Sequence, residues 1–229
     1  ADLSPGQDLH THWLAPNLLL SQACGFPLID DLAGRVQLVG CLHYALPVCE
    51  GLLCRSQVLV RQQDAGQSLE AFRGRRVAYN APNSQSGYNA MRALVAPRAL
   101  GGKFFSQALA TGGHLASMQA VKNGQADITS VDCVSWAGAS RYTPDAVQGL
   151  AVLTQTAPYP GLPLITSLQT SAQDLAKLQA AWARIFVRPD TQVLREALFL
   201  RGFEVVPLST FERIREMRDA AMALGYVSL

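Results

Sequence analysis

Short apolar runs alternate with longer segments of helical periodicity along this chain of 229 residues. Apolar runs bounded by turn-forming residues are typical of strands. They predict strands at 36–39, 57–61, 76–80, 127–131, 150–154, 164–166 and 204–208.

Helical periodicity is clearest in the last third of the chain. Leu175, Leu178, Trp182 and Ile185 recur at steps of three and four residues, which predicts a helix over about 172–187 that Ser171 caps. A second helix is predicted from a cap at Asp190 to a stop at Gly202, and a third from a capping box of Ser209 and Glu212 to a stop at Gly225. Two more helices are predicted earlier in the chain, one that starts near Ser86 and one over about 115–123. Strands that alternate with helices predict the α/β class, with a mostly parallel sheet flanked by helices.

Two stretches have the composition of connections between lobes. Residues 62–75 are polar and charged, and residues 156–163 contain three prolines, which favour a stiff surface connector. If both are crossings, residues 1–75 and 158–229 form a discontinuous first lobe, and residues 76–157 form an inserted second lobe. A cleft between two lobes is a preferred place for a small ligand.

The charge balance excludes several classes of function. The chain has 19 Lys and Arg against 17 Asp and Glu, a net charge of +2, and only 16% charged residues. It therefore has no broad basic field for nucleic acid and does not have the composition of a disordered protein. No apolar run is long enough to span a membrane. The chain opens without the pattern of a signal peptide, so we expect that such a peptide was either removed or never present.

The five cysteines do not form a recognisable motif. Cys24, Cys41, Cys49 and Cys54 lie close together in the sequence, and Cys133 stands apart, with no Cys-x-x-Cys pair. No His or Cys falls at a structural-zinc spacing, so no metal site is predicted. A disulfide between Cys24 and Cys49 is one interpretation, and small buried apolar side chains are the other.

The most informative segment is 76–91, Arg-Val-Ala-Tyr-Asn-Ala-Pro-Asn-Ser-Gln-Ser-Gly-Tyr-Asn-Ala-Met. A predicted strand enters a turn rich in hydroxyl and amide groups, and a helix follows. The helix start offers free backbone N–H groups and the positive end of the helix dipole, while Ser84 and Ser86 add hydroxyl donors, so the segment suits an anion. The alternative is an ordinary capped helix start. No Lys follows Gly87, so this is not a nucleotide-binding P-loop.

Two further polar groups stand at element ends. His114 follows Gly112 and Gly113 just before a predicted helix, where the dipole disfavours its cationic form and a neutral imidazole can donate to an oxyanion. Asp132 follows a short apolar strand and can accept a hydrogen bond from a protonated ligand oxygen. A surface histidine and a helix cap are the alternative interpretations.

Together these segments resemble the solute-binding proteins of phosphate, phosphite and phosphonate ABC transporters. In that family a Pro-x-Ser-x-Ser-Gly turn opens a helix, a Gly-x-His element follows, and a Gly-x-Ala-Asp junction leads to a strand whose end faces the ligand. The chain has these elements in order at 82–87, 112–114 and 124–127, and residues 161–164 match the family's return crossing.

The resemblance implies a type II periplasmic-binding-protein-like fold of two lobes with two hinge crossings. It also implies a periplasmic protein that captures a small oxyanion for an ABC importer, with the transporter permease as partner and a monomer or weak dimer as its state. No catalytic residue, cofactor or metal is implied. The implied ligand contacts are Ser84, Gln85, Ser86, Gly87, Tyr88, His114 and Asp132 from the inserted lobe, and Gln22 and Tyr44 from the other lobe.

The chain departs from the family pattern at two places. Family members begin with a strand ahead of the segment that matches 18–25, whereas residues 1–8 lack a strand pattern, so the first strand is expected to be missing. The return crossing has Gly161, Leu162 and Pro163 where binders of aminophosphonates place an acidic residue, which favours a compact anion over a ligand that carries an ammonium group.

Two other functions remain open from the sequence. One is a cytoplasmic ligand-sensing module of the same fold. The other is an enzyme with Cys133 or Cys24 as nucleophile and His114 as base. No motif links these cysteines to the histidine, so a binding protein is the favoured prediction.

Overall fold

A computed structural model describes residues 8–229, and two large β-sheets organise this part of the chain. The strands are β1 (Ser21–Gln22), β2 (Val36–Tyr44), β3 (Leu53–Cys54), β4 (Gln57–Arg61), β5 (Arg76–Tyr79), β6 (Gln107–Ala110), β7 (Ile128–Val131), β8 (Leu150–Gln155), β9 (Tyr159–Pro160), β10 (Pro163–Ser167) and β11 (Leu200–Glu204). The α-helices are α1 (Leu9–Trp13), α2 (Gly25–Ile29), α3 (Ala90–Val95), α4 (His114–Lys122), α5 (Cys133–Tyr142), α6 (Pro144–Val147), α7 (Ala172–Ile185), α8 (Gln192–Ala197) and α9 (Glu212–Ala223). A π-helical turn, Gln85–Asn89, leads directly into α3.

The first sheet has four strands in the order β1-β10-β2-β11. Trp182 of α7 stacks on Phe203 on one face, with ring centroids 6.1 Å apart, and Trp13, Phe211 and Ile214 belong to the core on the other face. Every neighbouring pair in this sheet is antiparallel, so the prediction of a mostly parallel arrangement is wrong here. Apolar patterning marks which residues form strands but carries no information about strand direction.

The second sheet has five strands in the order β6-β5-β7-β4-β8. β5 is parallel to β6 and β7, whereas β4 is antiparallel to β7 and β8. Because side chains alternate along a strand, Val58 and Val60 face one core with Met91 of α3, while Leu59 faces another with Met118 of α4. Helices thus cover both faces of this sheet, as in the α/β class.

The two sheets are joined by a short pair of antiparallel strands. Cys54 of β3 pairs with Tyr159 of β9, so two chain crossings run side by side between the sheets. The predicted crossing at 156–163 contains β9. The predicted crossing at 62–75 is wrong, because β4 already belongs to the second sheet and residues 62–75 follow it as 3₁₀ turns and loops.

The C-terminal helix contributes to both cores. Ile214 of α9 packs in the core under the first sheet, and Ala221 and Tyr226 pack in a core of the second. The division into lobes of 1–75 and 158–229 against 76–157 stays a prediction. Since β4 belongs to the second sheet, its first boundary would have to lie before Gln57.

Several local predictions can be compared directly with the structure. The Ser171 side chain accepts from Asp174 N and caps α7, as predicted. The predicted strand at 204–208 is wrong, because β11 pairs earlier, at Leu200–Glu204, along the far end of the long strand β2. The prediction that Gly202 ends a helix is wrong, because α8 already ends at Ala197. The predicted capping box of Ser209 and Glu212 is also wrong, because a 3₁₀ turn at Leu208–Phe211 leads directly into α9.

The start of the chain adds no strand ahead of β1 within residues 8–20, where α1 and a loop lie. The prediction for residues 1–8 falls almost wholly outside the described residues. Among residues 8–229, no helix combines the length and apolarity that a membrane span requires.

Candidate ligand-binding site

A narrow cavity, partly open to solvent, lies between the two sheets. Its wall has contributions from the first-sheet side, from the two crossings and from the second-sheet side. These lining residues are Cys24, Gly25, Tyr44, Cys54, Gln85, Ser86, Asp132, Cys133, Val134, Tyr159, Pro160, Gly161 and Leu162. None of these lining residues is Lys or Arg, so an anion in this cavity would be held by uncharged hydrogen-bond donors.

The turn that precedes α3 is fixed by its own hydrogen bonds. Ser84 Oγ accepts from Gly87 N at 3.1 Å, and Asn89 N donates to Ser84 O at 3.0 Å across five residues, which produces the π-helical turn. Such turns are frequent at functional sites. Ser84 therefore stands behind the cavity wall as a cap and does not line the cavity itself.

Ser86 is the residue that this turn presents to the cavity. Two hydroxyls hold its carbonyl oxygen from behind, Ser56 Oγ at 3.0 Å and Ser130 Oγ at 2.6 Å. Its backbone N–H has no acceptor among residues 8–229. The N–H and the hydroxyl of Ser86 thus remain as donors at a rigid position.

Gly87 is required by close approach, not by backbone conformation. A Cβ at this position would lie 2.1 Å from Asn80 Oδ1 and 3.3 Å from His114 Cε1. Only a residue without a side chain lets the turn pack against Asn80 and the first residue of α4.

His114 and Asp132 meet beside Ser86. His114 Nε2 lies 2.9 Å from Ser86 Oγ and 3.2 Å from Asp132 Oδ2, while Asp132 Oδ1 accepts from Ser135 N at 2.8 Å as the cap of α5. The interpretation of Asp132 as a helix cap is therefore confirmed, and its second carboxylate oxygen faces the histidine.

These three residues do not form a catalytic relay. A Ser-His-Asp relay uses one ring nitrogen for the serine and the other for the carboxylate. Here both contacts are made by Nε2, and the buried Nδ1 has no partner among the described residues. Because a carboxylate only accepts, Nε2 carries the hydrogen, and the Ser86 hydroxyl keeps its own hydrogen for another acceptor.

Burial sets the charge of the histidine. Desolvation lowers the pKa of His114, and the neighbouring Asp132 carboxylate opposes this shift without overcoming it. The imidazole is therefore neutral at pH 7, consistent with its place at the first turn of α4.

The first-sheet side contributes Gln22 and Tyr44. Gln22 Nε2 donates to the Tyr44 hydroxyl at 2.8 Å, and Tyr44 lines the cavity. Burial raises the pKa of Tyr44, so the phenol keeps its proton and can donate. Gln22 itself faces a neighbouring cavity and acts on this one through Tyr44.

The structure places Tyr88 apart from the cavity. Its ring packs edge-on against Tyr79 at 5.1 Å, and the Arg92 guanidinium lies 5.7 Å from the ring centroid. Two residues that the motif did not indicate stand closer. Tyr159 lines the cavity, and its hydroxyl hydrogen-bonds Ser56, which also holds the Ser86 carbonyl. Ser56 gives no local signal because its role depends on contacts with residues 30 and 103 positions away.

Of the two interpretations of the cysteines, the disulfide between Cys24 and Cys49 is wrong, since all five cysteines are free thiols. Cys24 Sγ instead accepts from Gln85 N at 3.1 Å, and Cys49 Sγ lies near Cys54 and Cys133. Proximity in sequence suggested the pair, and the fold directs the two side chains to different partners.

Comparison with known proteins identifies a family for the chain. The family model described as "ABC transporter, phosphonate, periplasmic substrate-binding protein" matches residues 50–211. No protein in the curated set matches the chain.

Solved structures of similar fold share little sequence with the chain. PhnD1 from Prochlorococcus marinus in complex with methylphosphonate has a TM-score of 0.75 at 13% identity, covering 95% of this chain and 82% of its own. A binding protein component of an ABC phosphonate transporter from Pseudomonas aeruginosa has a TM-score of 0.71 at 17% identity, covering 90% and 69%. A Xanthomonas citri protein bound to chloride has a TM-score of 0.68 at 15% identity, covering 95% and 81%.

These structures confirm the two-lobed binding-protein fold, and the family model covers more than half of the chain. The chain therefore belongs to the family of periplasmic substrate-binding proteins of phosphonate ABC transporters, which are solute-binding proteins for import.

Proposed function

We propose that the protein works in the periplasm, where the cavity between its two sheets captures a small tetrahedral oxyanion of the phosphonate, phosphite or phosphate class for delivery to an ABC permease. The observation that carries this proposal is the convergence of Ser86, His114 and Asp132 at distances of 2.9 and 3.2 Å. In the relatives, PhnD1 is seen with methylphosphonate, which is a ligand of this class.

Neutral donors can hold such an anion without a counter-charge. The Ser86 N–H and hydroxyl, with the Tyr44 hydroxyl opposite, form a preorganised set of donors at the cavity wall. Fixed dipoles in a dry site stabilise charge because they need no reorganisation. Of the remaining proposed contacts, Gln85 lines the cavity, while Ser84 and Gly87 shape the turn and Gln22 orients Tyr44.

Asp132 bears on which protonation state binds. A carboxylate at the wall repels a fully ionised ligand but accepts a hydrogen bond from a P–OH group. With no Lys or Arg among the lining residues, a hydrogen-bearing monoanion is the form that this site favours.

We further propose that the chain is not an enzyme. Cys24 Sγ is occupied by Gln85 N, His114 contacts Ser86 and Asp132 through a single nitrogen, and burial raises the pKa of the Cys24 thiol. No described contact joins His114 to a cysteine, so neither nucleophile considered from the sequence has its base.

The test is a calorimetric and thermal-shift panel with phosphate, phosphite, methylphosphonate, sulfate and an alkylsulfonate. A ligand at about 100 times its Kd stabilises the fold by about 2.7 kcal/mol. Ser86→Ala and His114→Ala should each weaken binding about 10-fold or more. The first removes a hydroxyl donor to the charged ligand, and the second removes the side chain that holds Ser86 and Asp132 in place. The matched control is Ser140→Ala, which alters only an exposed hydroxyl bonded to Trp136 O.

Asp132→Asn tests the protonation preference. In the wild-type protein, affinity should fall as rising pH removes the ligand's last proton, and in the variant this fall should shrink. Unchanged affinity in Ser86→Ala and His114→Ala, or a flat panel with all phosphorus oxyanions, would overturn the proposal.

A further inference from the structure

Three cysteines from separate segments come together next to the ligand cavity. Cys49 lies in the loop after β2, Cys54 in β3, and Cys133 at the first position of α5. Cys49 Sγ is 2.7 Å from Cys54 Sγ and 3.4 Å from Cys133 Sγ, and all three sulfurs lie within 4.8 Å of one another. We refer to Cys49, Cys54 and Cys133 as the thiol cluster.

The thiol cluster is compact enough for its three sulfurs to reach one ion. With a zinc–sulfur bond of about 2.3 Å, two sulfurs in a tetrahedral site lie roughly 3.8 Å apart. The Cys49 sulfur is closer than that to the sulfurs of Cys54 and Cys133, and all three lie within 4.8 Å of one another, so rotamer changes that move the Cys49 sulfur outward would make room for a central ion.

We propose that the thiol cluster is a binding site for one thiophilic d¹⁰ metal ion, Zn²⁺ or Cu⁺, next to the oxyanion site but formed by different residues. Three sulfurs with no carboxylate or carbonyl oxygen in the set select soft or borderline ions over Mg²⁺ or Ca²⁺. Neither the Ser86 hydroxyl nor His114 takes part.

Metal binding at the thiol cluster should release protons, because a thiol binds a metal ion as its thiolate, and it should therefore weaken as pH falls.

The thiol cluster is accessible from two sides. Cys49 lines an outer cavity with His43, Glu50 and Arg201, which offers an entry path from solvent. Cys54 and Cys133 line the cavity that holds the proposed oxyanion site. A three-sulfur set leaves a further coordination position, which in zinc proteins is taken by water or another small ligand.

Ion binding would connect two parts of the fold. Cys54 belongs to the crossing strand β3, whereas Cys133 begins α5 directly after the second-sheet strand β7. An ion held by both would resist their separation, so the metal-bound form is expected to unfold at a higher temperature than the metal-free form.

The test uses the full chain, reduced and stripped of metal under anaerobic conditions. Zn²⁺ and Cu⁺ are titrated in separate arms against a chromophoric chelator, and the bound metal is counted by mass spectrometry. One ion per chain is expected. Cys49→Ser and Cys133→Ser should each weaken binding at least about 100-fold, since loss of a direct ligand exceeds the 10–100-fold effect of an outer-shell change.

Cys41→Ser is the matched control, because Cys41 is a buried free thiol outside the thiol cluster whose sulfur hydrogen-bonds the carbonyl oxygens of Leu42 and Leu162. A second measurement on the unaltered protein avoids folding defects: bound metal should protect Cys49 from iodoacetamide. Oxyanion titration of Cys49→Ser separates the two proposals, as it should bind the anion normally.

Three outcomes would overturn the metal site. These are the absence of stoichiometric binding by the reduced protein, equal binding by all variants, and a Cys49–Cys54 disulfide whose reduction does not restore binding.

Discussion

Cys24 Sγ accepts a hydrogen bond from the backbone N–H of Gln85 at 3.1 Å, and this contact joins the two sides of the cleft. Cys24 lies between β1 and α2 beside the first sheet, and Gln85 begins the turn that carries Ser86. The contact fixes the turn relative to the first sheet and uses the Gln85 N–H, so this backbone donor of the turn is not available to a ligand. The Ser86 N–H is consequently the backbone donor that remains for a ligand.

The Cys24 thiol should react slowly with iodoacetamide near neutral pH. Desolvation raises the pKa of Cys24, so little of the nucleophilic thiolate is present. In metal-free protein, Cys49 should be modified first, because its side-chain hydrogen bonds with Cys133 and Cys54 lower its pKa to about 4. Peptide mass spectrometry over a time course gives both rates, and denatured protein supplies the reference. Fast modification of Cys24 would favour the enzyme that the sequence left open.

Replacement of Gly87 by Ala should damage the turn. The added methyl group would meet Asn80 Oδ1 at 2.1 Å and crowd His114, which should lower the free energy of unfolding by about 1–3 kcal/mol and abolish oxyanion binding. Gly138→Ala is the control, since nothing lies within 4 Å of a Cβ there and α5 should gain about 0.5–1 kcal/mol. Urea denaturation measures both. Equal stability of the two variants would contradict the close approach at Gly87.

Asp127 should be a major source of acid sensitivity. Burial by itself would raise its pKa, but hydrogen bonds from Arg76 and Arg61, at 2.9–3.1 Å, outweigh burial and leave the pKa well below its usual range. A depressed carboxyl pKa contributes stability that is complete above the unfolded value of about 3.9, declines below it, and is fully lost only once pH has fallen through the much lower folded pKa. Asp127→Asn should therefore cost about 2–4 kcal/mol at pH 7 and a smaller amount at pH 3, where part of the stabilisation is already lost.

The control for Asp127 is Asp190→Asn, which breaks only an exposed pair with Arg188 and should leave stability nearly unchanged, because water screens an exposed ion pair. Denaturation at both pH values distinguishes the variants. A cost for Asp127→Asn that does not depend on pH would show that packing, and not charge, is what Asp127 contributes.

His114 should make the protein less stable in mild acid. Desolvation lowers its pKa below the unfolded value of about 6.5, so the unfolded chain binds a proton more readily than the folded one. The stabilisation from the neutral imidazole is then complete above that pH and is lost as pH falls below it. Between pH 7 and pH 5, His114→Gln should lose less stability than the wild-type protein. Parallel curves for the two proteins across this range would sink the assignment.

The sequence determined what depends on neighbours along the chain. The hydroxyl-rich turn before a helix, the Ser171 cap and the amphipathic face of α7 were predictable, because capping and helical periodicity involve residues three or four positions apart. The order of the Pro-x-Ser-x-Ser-Gly, Gly-x-His and Gly-x-Ala-Asp segments indicated the family, and the family model confirms it.

Only the tertiary structure decided which distant residues meet. Ser86 and His114 are 28 positions apart, and Cys49 and Cys133 are 84 apart, so no local spacing encodes either contact. Strand direction and the place of β11 likewise depend on which strand is available as a partner, and β2 is long enough to pair with both β10 and β11. Local propensity is a short-range property of the chain, whereas a binding site forms from side chains that the fold alone brings within hydrogen-bond distance.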